Sequence, residues 1–290
     1  MKGKQTDLFA ELSASTRRRL QSFAECAAAI DGLFQDALRT EGPSAFSSFI
    51  DFARRMSNLS VYNAMLVRVQ RPGAAAVATE KKWNGIQRTV KPGAIPIVVL
   101  RPFGPVSFLY EVADTEGFPL PGEHQNPFVA YGELSEVEWA RLLKHHREKS
   151  SVRIEERNFG MLLAGNARPL QTVPSLIPNQ SQMEWLIQLN QNHDVPTRFA
   201  TLAHELGHIF CGHCGPDPKG RWPDRSSLPH AVKECEAEAV SFLACARREL
   251  GVASNQYLAE LIKDVDLKSV SLYAIFEAAN RVETRMAEGH

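Results

Sequence analysis

The chain has no run of about 18 apolar residues, the length a membrane-spanning helix needs, so no segment is expected to cross a bilayer. It has no excess of either charge. Lys+Arg and Asp+Glu both number 33, so net charge points to no polyanionic partner, and a nucleic-acid surface would have to come from local clustering. It has no apolar leader either: "MKGKQTDLFAELSASTRRRL" carries charge throughout, which makes export unexpected. Cysteines are few and odd in number (Cys26, Cys211, Cys214, Cys235 and Cys245) and form no disulfide-like framework, which fits a reducing compartment. Internal repeats and long low-complexity tracts are missing. What remains is an ordinary folded composition, 44% hydrophobic and 23% charged over 290 residues, enough for one large domain or two ordinary ones. The expectation is a cytoplasmic protein with no membrane partner.

Apolar residues Leu8, Leu12, Leu20, Phe23, Ala27, Ile30, Phe34 and Leu38 recur at three- and four-residue steps, which predicts helix over 5–40. A second helical region runs from about Ala45 to Gln70 and stops at Arg71-Pro72-Gly73. "IPIVVLRPF" (95–103) and "VSFLYEV" (106–112) read as adjacent strands. "TEGFPLPGEHQNP" (115–127) is the best linker candidate. Beyond it, Ser135 and Glu138 form a capping box ahead of a helix. "VRIEER", "GMLLAG" and "QMEWLIQLN" (182–190) read as strands. Helices are then expected over Thr197 to His213, with Pro196 at its start, over about 230–250, ending at Gly251, and near 254–263 and 267–287. The fold class is α+β, with N-terminal helices and a small β-sheet in a domain over 1–120, and a second domain over 127–290.

Within "TLAHELGHIFCGHCG" (201–215), His204 and His208 are four apart, so on a helix they share one face. Neutral imidazoles at that spacing suit zinc, and Glu205 beside them suits general-base work on a water acidified by the metal. Three sources for a third ligand compete. Glu234, 26 residues on, shares a helix face with Glu238, while Glu236 points elsewhere; Cys211 lies seven residues after His204; His213 becomes available if the helix ends near Cys211. Glu234 is the preferred ligand, with Glu238 behind it orienting a ligand. Zinc is the expected ion, with manganese or another divalent metal as alternatives. Cys211-Gly-His-Cys214 has redox spacing, but such a pair opens a helix after a strand, and this one closes a helix. Core or cap cysteines are the plainer reading.

"LAHELGHIFCGH", followed after about 26 residues by "ECEAEAVSFL", resembles the ImmA/IrrE-type metallopeptidases. The resemblance implies a zincin-like C-terminal domain in which His204, His208 and Glu234 bind zinc and Glu205 is the catalytic base. That family often places Asn or Asp where Glu238 stands here. The segment "SVYNAMLVRVQRPGAAAVATEKKWNGIQRTVKPGAIPIVVLRP" is similar to the N-terminal module of ArdC-type antirestriction proteins. That likeness implies single-stranded DNA as partner and an antirestriction or DNA-protection role, with a protein or peptide substrate for the second domain.

The same segment has its own electrostatic signature. Between 54 and 101 stand Arg54, Arg55, Arg68, Arg71, Lys81, Lys82, Arg88, Lys91 and Arg101, against Glu80 alone. Trp83 is interleaved with them, and a cationic groove with aromatic platforms is what unspecific single-strand binding needs. Arg54, Arg55, Arg68, Arg71, Lys81, Lys82, Trp83, Arg88 and Lys91 are the candidate contacts. The expected chemistry is a zinc-dependent metallo-endopeptidase whose substrate strand adds to "QMEWLIQLN". The alternative is a non-proteolytic DNA-binding protection protein with a structural metal.

Overall fold

A computed structural model of the chain describes residues 44–101, 104–120, 128–149, 151–170, 185–252 and 265–287. The helix expected over 5–40, the short one near 254–263 and most of the proposed linker lie outside the described residues. In chain order the elements are α1 (Ser44–Arg55), α2 (Val61–Gln70), β1 (Val77–Ala78), α3 (Glu80–Gly85), β2 (Arg88–Val90), β3 (Ile97–Arg101), β4 (Gly104–Glu111) and β5 (Thr115–Gly117). There follow β6 (Ala130–Tyr131), α4 (Glu136–Lys149), β7 (Val152–Arg157), β8 (Gly165–Pro169), β9 (Trp185–Asn190), α5 (Val195–Phe210), α6 (His230–Ala246), β10 (Gly251–Val252) and α7 (Leu272–Ala287). The architecture is α+β, as expected.

The chain divides into two compact units: Met1–Gln70 with Ile97–Phe108, and Arg71–Pro96 with Leu109–His290. In the first, the predicted helix over 45–70 is two helices, α1 and α2. Phe52, Met56, Ala64 and Val67 are buried, as are Ile97 and Val99 on β3. β3 is an edge strand, and α2 covers its outer side with two amides. Asn63 Nδ2 donates to the Leu100 carbonyl (2.9 Å) and Asn63 Oδ1 accepts from the Leu100 amide (3.0 Å). Gln70 does the same for Val98, donating at 2.8 Å and accepting at 2.8 Å. The two side chains thus replace a neighbouring strand.

The second unit does not begin at the expected linker. Residues 71–96 and 109–120 belong to it, and buried polar contacts explain why. Glu111, fully buried, accepts from the amides of Ala75 (2.9 Å), Ala113 (2.7 Å) and Met161 (3.3 Å). Arg71 donates to the carboxylate of Asp114 and to Asn158. β1 pairs with the end of β4, Val77 opposite Glu111, and β5, cut from the presumed linker, pairs with β2. The strand expected in "GMLLAG" is a loop. Its amides bond to the turn at 72–73 (Gly160 N to Pro72 O, 2.8 Å; Leu162 N to Gly73 O, 2.8 Å), and the strand starts later, at Gly165.

The main sheet of this unit has the order β7-β9-β8. β9 is its centre, parallel to β7 and antiparallel to β8, and its near-continuous apolar sequence "WLIQLN" suits a strand covered on both faces. Over Trp185–Asn190 both of its edges are therefore paired, which leaves these residues no free edge for the substrate strand expected on "QMEWLIQLN". The core under the sheet joins Trp139, Ile154, Ile187, Phe199, Leu202, Leu206, Ile209 and Val282. The capping box of α4 forms as predicted: Ser135 Oγ accepts from Glu138 N (3.2 Å) and a Glu138 oxygen accepts from Ser135 N (2.9 Å).

Candidate metal centre

α5 starts two residues before the expected Thr197. Asp194 caps it by accepting from Thr197 N at 3.0 Å, and Pro196 sits in the first turn, where no amide donor is needed. It ends earlier than predicted, in a Schellman turn. Gly212 takes φ +80°, its amide bonds to Ile209 O at 3.0 Å, and His213 N reaches back to His208 O at 2.9 Å. A Cβ on Gly212 would stand 2.2 Å from Pro223 O, so glycine is required for the turn and for the close chain beside it.

α6 packs antiparallel on α5. Ser241 Oγ donates to Ala200 O (2.9 Å) at one end, and Glu234 meets the histidines at the other. The contact is close because Gly207 faces it: a Cβ there would lie 3.1 Å from Ala237 Cα and 3.2 Å from Val240 Cβ. This closeness aims Glu234 between the two imidazoles. His204 Nε2 and His208 Nε2 are 3.1 Å apart, with the Glu234 oxygens 3.5 Å and 3.4 Å from them. Ligand atoms held at about 2.0–2.1 Å by a tetrahedral ion stand about 3.3 Å from one another, so this triangle has the size of one face of such a shell. Of the three rivals for third ligand, the structure brings Glu234 to the histidines; Cys211 and His213 group with Glu236 instead.

Each histidine's other nitrogen is also held. His204 Nδ1 lies 3.1 Å from Glu238 Oε2. His208 Nδ1 lies 3.0 Å from His213 Nδ1, and His213 Nε2 lies 2.9 Å from Glu236 Oε2. Arg225 grips Glu236 at both oxygens (2.6 Å each), and Ser271 N donates to it at 2.7 Å. Sequence reasoning weighed His213 only as a rival ligand, turned Glu236 away from the site and missed Arg225. Cys211, His213 and Glu236 have metal-like proximity, but a guanidinium already fills the carboxylate's charge, so this group is a buried ion pair rather than a second metal site.

Burial opposes charge on His204, yet its bonds to Glu234 and Glu238 outweigh it and raise the pKa to about 10. Burial, reinforced by the cationic His204, pushes His208 down to about 3. Burial pushes Glu205 up to about 7, with His204 opposing the rise and Glu234 adding to it. Burial acts to raise Glu234 as well, but the neighbouring imidazoles hold it near 2. Three carboxylates thus crowd one cationic ring, a donor set whose charge a divalent ion would balance by displacing a proton. Burial pushes the thiols of Cys211 and Cys214 up to about 12, so neither is a ready thiolate, and the redox reading loses its chemistry.

The nucleic-acid candidates fare unevenly, taken unit by unit. In the first, Arg54 and Arg55 are exposed on α1, and the guanidinium groups of Arg55 and Arg68 lie 5.9 Å and 5.8 Å from the Phe52 ring centre. In the second, Lys81 and Lys82 are exposed on α3, and Lys91 donates to Ala113 O at 2.8 Å. Three candidates are corrected, because they are built into the second unit's interior. Arg71 pairs with Asp114, Arg88 bonds to Thr115 and the carbonyls of Gly117 and Phe118, and Trp83 is buried with Nε1 donating to Tyr110 O (2.9 Å). The exposed aromatic on β4 is Phe108, which the alternation of Val106, Phe108 and Tyr110 in the sequence would instead turn inward.

No protein-family model matches the chain, and no curated protein does. Among solved structures it is similar to two crystal structures of the antirestriction protein ArdC from plasmid R388, one metal-free and one Mn(II)-bound. Identity is 17% in both, covering 79% of this chain and 83% and 87% of theirs, with a TM-score of 0.27. So loose a superposition carries no argument about fold or activity, which rest on the residues themselves.

Proposed function

We propose that the chain is a divalent-metal-dependent peptide hydrolase joined to a module that binds single-stranded DNA, acting in antirestriction or DNA protection. The observation that carries the hydrolase half is the convergence of His204 Nε2, His208 Nε2 and Glu234 at 3.1–3.5 Å, with both Nδ1 atoms held from behind. Two nitrogens and a carboxylate suit zinc, and manganese remains compatible. A divalent ion bound there supplies Lewis acidity toward a carbonyl and an acidified water. The chain's residues do the rest. Glu205, buried in the field of His204 and Glu234, is the group placed to take a proton and return it to the leaving amine. Three protein ligands leave a fourth position for substrate or water, which favours a catalytic over a structural metal. β8, an edge of the main sheet with Gly165 against Thr201 of α5, is the better strand for an extended peptide.

The DNA half rests on the sequence likeness of residues 60–102 to ArdC-type modules and on the exposed Arg54, Arg55, Lys81 and Lys82. Tethering the two activities concentrates a hydrolase on proteins at DNA. The test pairs metal analysis with peptide-library cleavage for the wild type and Glu205→Gln. Bound metal with cleavage lost in the variant supports the proposal. Bound metal without cleavage in either protein supports the protection protein with a structural metal instead.

A further inference from the structure

The chain His208–His213–Glu236–Arg225 lies behind the ligand triangle, and nothing in the HExxH pattern requires it. Its hydrogen-bond logic can be followed atom by atom. Arg225 donates to both oxygens of Glu236, and Ser271 N adds a third donor, so Glu236 is held as a carboxylate that only accepts. His213 Nε2, 2.9 Å from that carboxylate, therefore carries the hydrogen. Arg225 already balances the carboxylate's charge, so the buried His213 ring has no second anion among the described residues to support a proton of its own. Its Nδ1 is left as a lone pair, 3.0 Å from His208 Nδ1. A contact of that length between two ring nitrogens needs one hydrogen between them, and His208 Nδ1 has to supply it. His208 Nε2 is then a lone pair, and it is the atom that faces Glu234 and the Nε2 of His204, whose hydrogen favours the same tautomer.

We propose that His213 is a positioning residue: backed by Glu236 and Arg225, it fixes His208 in the Nδ1–H tautomer and so presents a metal-ready Nε2 before any ion arrives. This rests on reading the triangle as a metal site. The opposite arrangement, a hydrogen on His208 Nε2, would aim a donor at the place where a ligand lone pair is needed. Local sequence explains the device. The turn at Gly212 carries His213 back over the last turn of α5, and its amide on His208 O fixes its backbone beside the ring it orients. Arg225, in the loop ahead of α6, also donates to Cys211 O (3.2 Å), tying that loop to the same helix end.

The test reads the tautomer directly in the metal-free full-length protein. Long-range 15N–1H correlation spectra distinguish Nδ1–H from Nε2–H imidazoles, and Co2+ titration gives affinity. In the wild type His208 is expected as Nδ1–H. His213→Leu, which leaves the Glu236–Arg225 pair intact, is expected to weaken that preference and to weaken Co2+ binding about 10–100-fold. His213→Gln, whose amide can accept from His208 and donate to Glu236, is expected to restore both to within a few-fold of wild type. An Nε2–H tautomer in the wild type, or an unchanged tautomer population or Co2+ affinity in His213→Leu, overturns the proposal. A tautomer that responds as expected in a protein that cleaves no peptide would leave this relay standing and remove the hydrolase.

Discussion

At the scale of single residues, the site divides into a part set by periodicity and a part set by a turn. His204, Glu205 and His208 follow from four-residue spacing, and Glu234 with Glu238 from the same spacing on a partner helix. His213 and Arg225 do not, because their place depends on a left-handed glycine and a loop, neither of which has a period to detect. Glu205→Gln is expected to keep its metal and lose about 10²–10⁴-fold in peptide cleavage. A general base must be ionised, so wild-type cleavage should rise with pH. The midpoint should lie below the value of about 7 set in the absence of an ion, because a bound cation favours the carboxylate. A profile that falls through this range would remove Glu205 from the role. Trp83→Ala, by contrast, should act through stability, since the ring is 3% exposed. A loss of about 3–5 kcal/mol is expected in denaturant unfolding.

At the scale of elements, α4 and α5 were legible because local chemistry marks their starts, Ser135 with Glu138 and Pro196, although the cap at Asp194 went unread and α5 begins two residues early. The order of the main sheet was not. "WLIQLN" reads the same as an edge or a centre strand until its neighbours are known, and β8 was displaced from "GMLLAG" by hydrogen bonds to the turn at 72–73. The α5–α6 contact offers a test that separates helix stability from site geometry. Gly207→Ala gains about 1 kcal/mol of helix propensity. Its new methyl, however, meets the backbone of Ala237 at 3.1 Å, so α6 has to move by a few tenths of an ångström. Thermal stability should change little while metal affinity drops, because Glu234 rides on α6. Equal affinity in calorimetric titration would show that the spacing is not what aims the carboxylate.

At the scale of the whole molecule, the division into units was hidden because the second is discontinuous in sequence and is held by polar groups. Glu111, Arg71 and Asp114 sit where a reading for apolar cores does not look. Two buried groups outside the ligand triangle contribute to its response to acid. Burial, with the positive Arg285 and His145, pushes His146 down to about 4, so it folds as the neutral ring. Its contribution is whole above about pH 6.5 and is lost as pH falls toward 4, a loss of about 3 kcal/mol. Burial acts to raise Glu236, but His213 and Arg225 hold it near 2, so its contribution is whole above the ordinary carboxylate range and is lost as pH falls toward 2. In unfolding followed against pH, His146→Leu should lessen the loss between about pH 6.5 and 4 by about 3 kcal/mol and leave the loss toward pH 2 unchanged. The capped strand β3 matters at this scale too. Strands recruit strands as a growing polymer recruits monomer, through whatever amides still face outward. Asn63 and Gln70 terminate that growth at Val98 and Leu100 from within the same chain. Replacing both with alanine would turn a closed end into a propagating one, visible as concentration-dependent light scattering by a protein that otherwise stays dispersed.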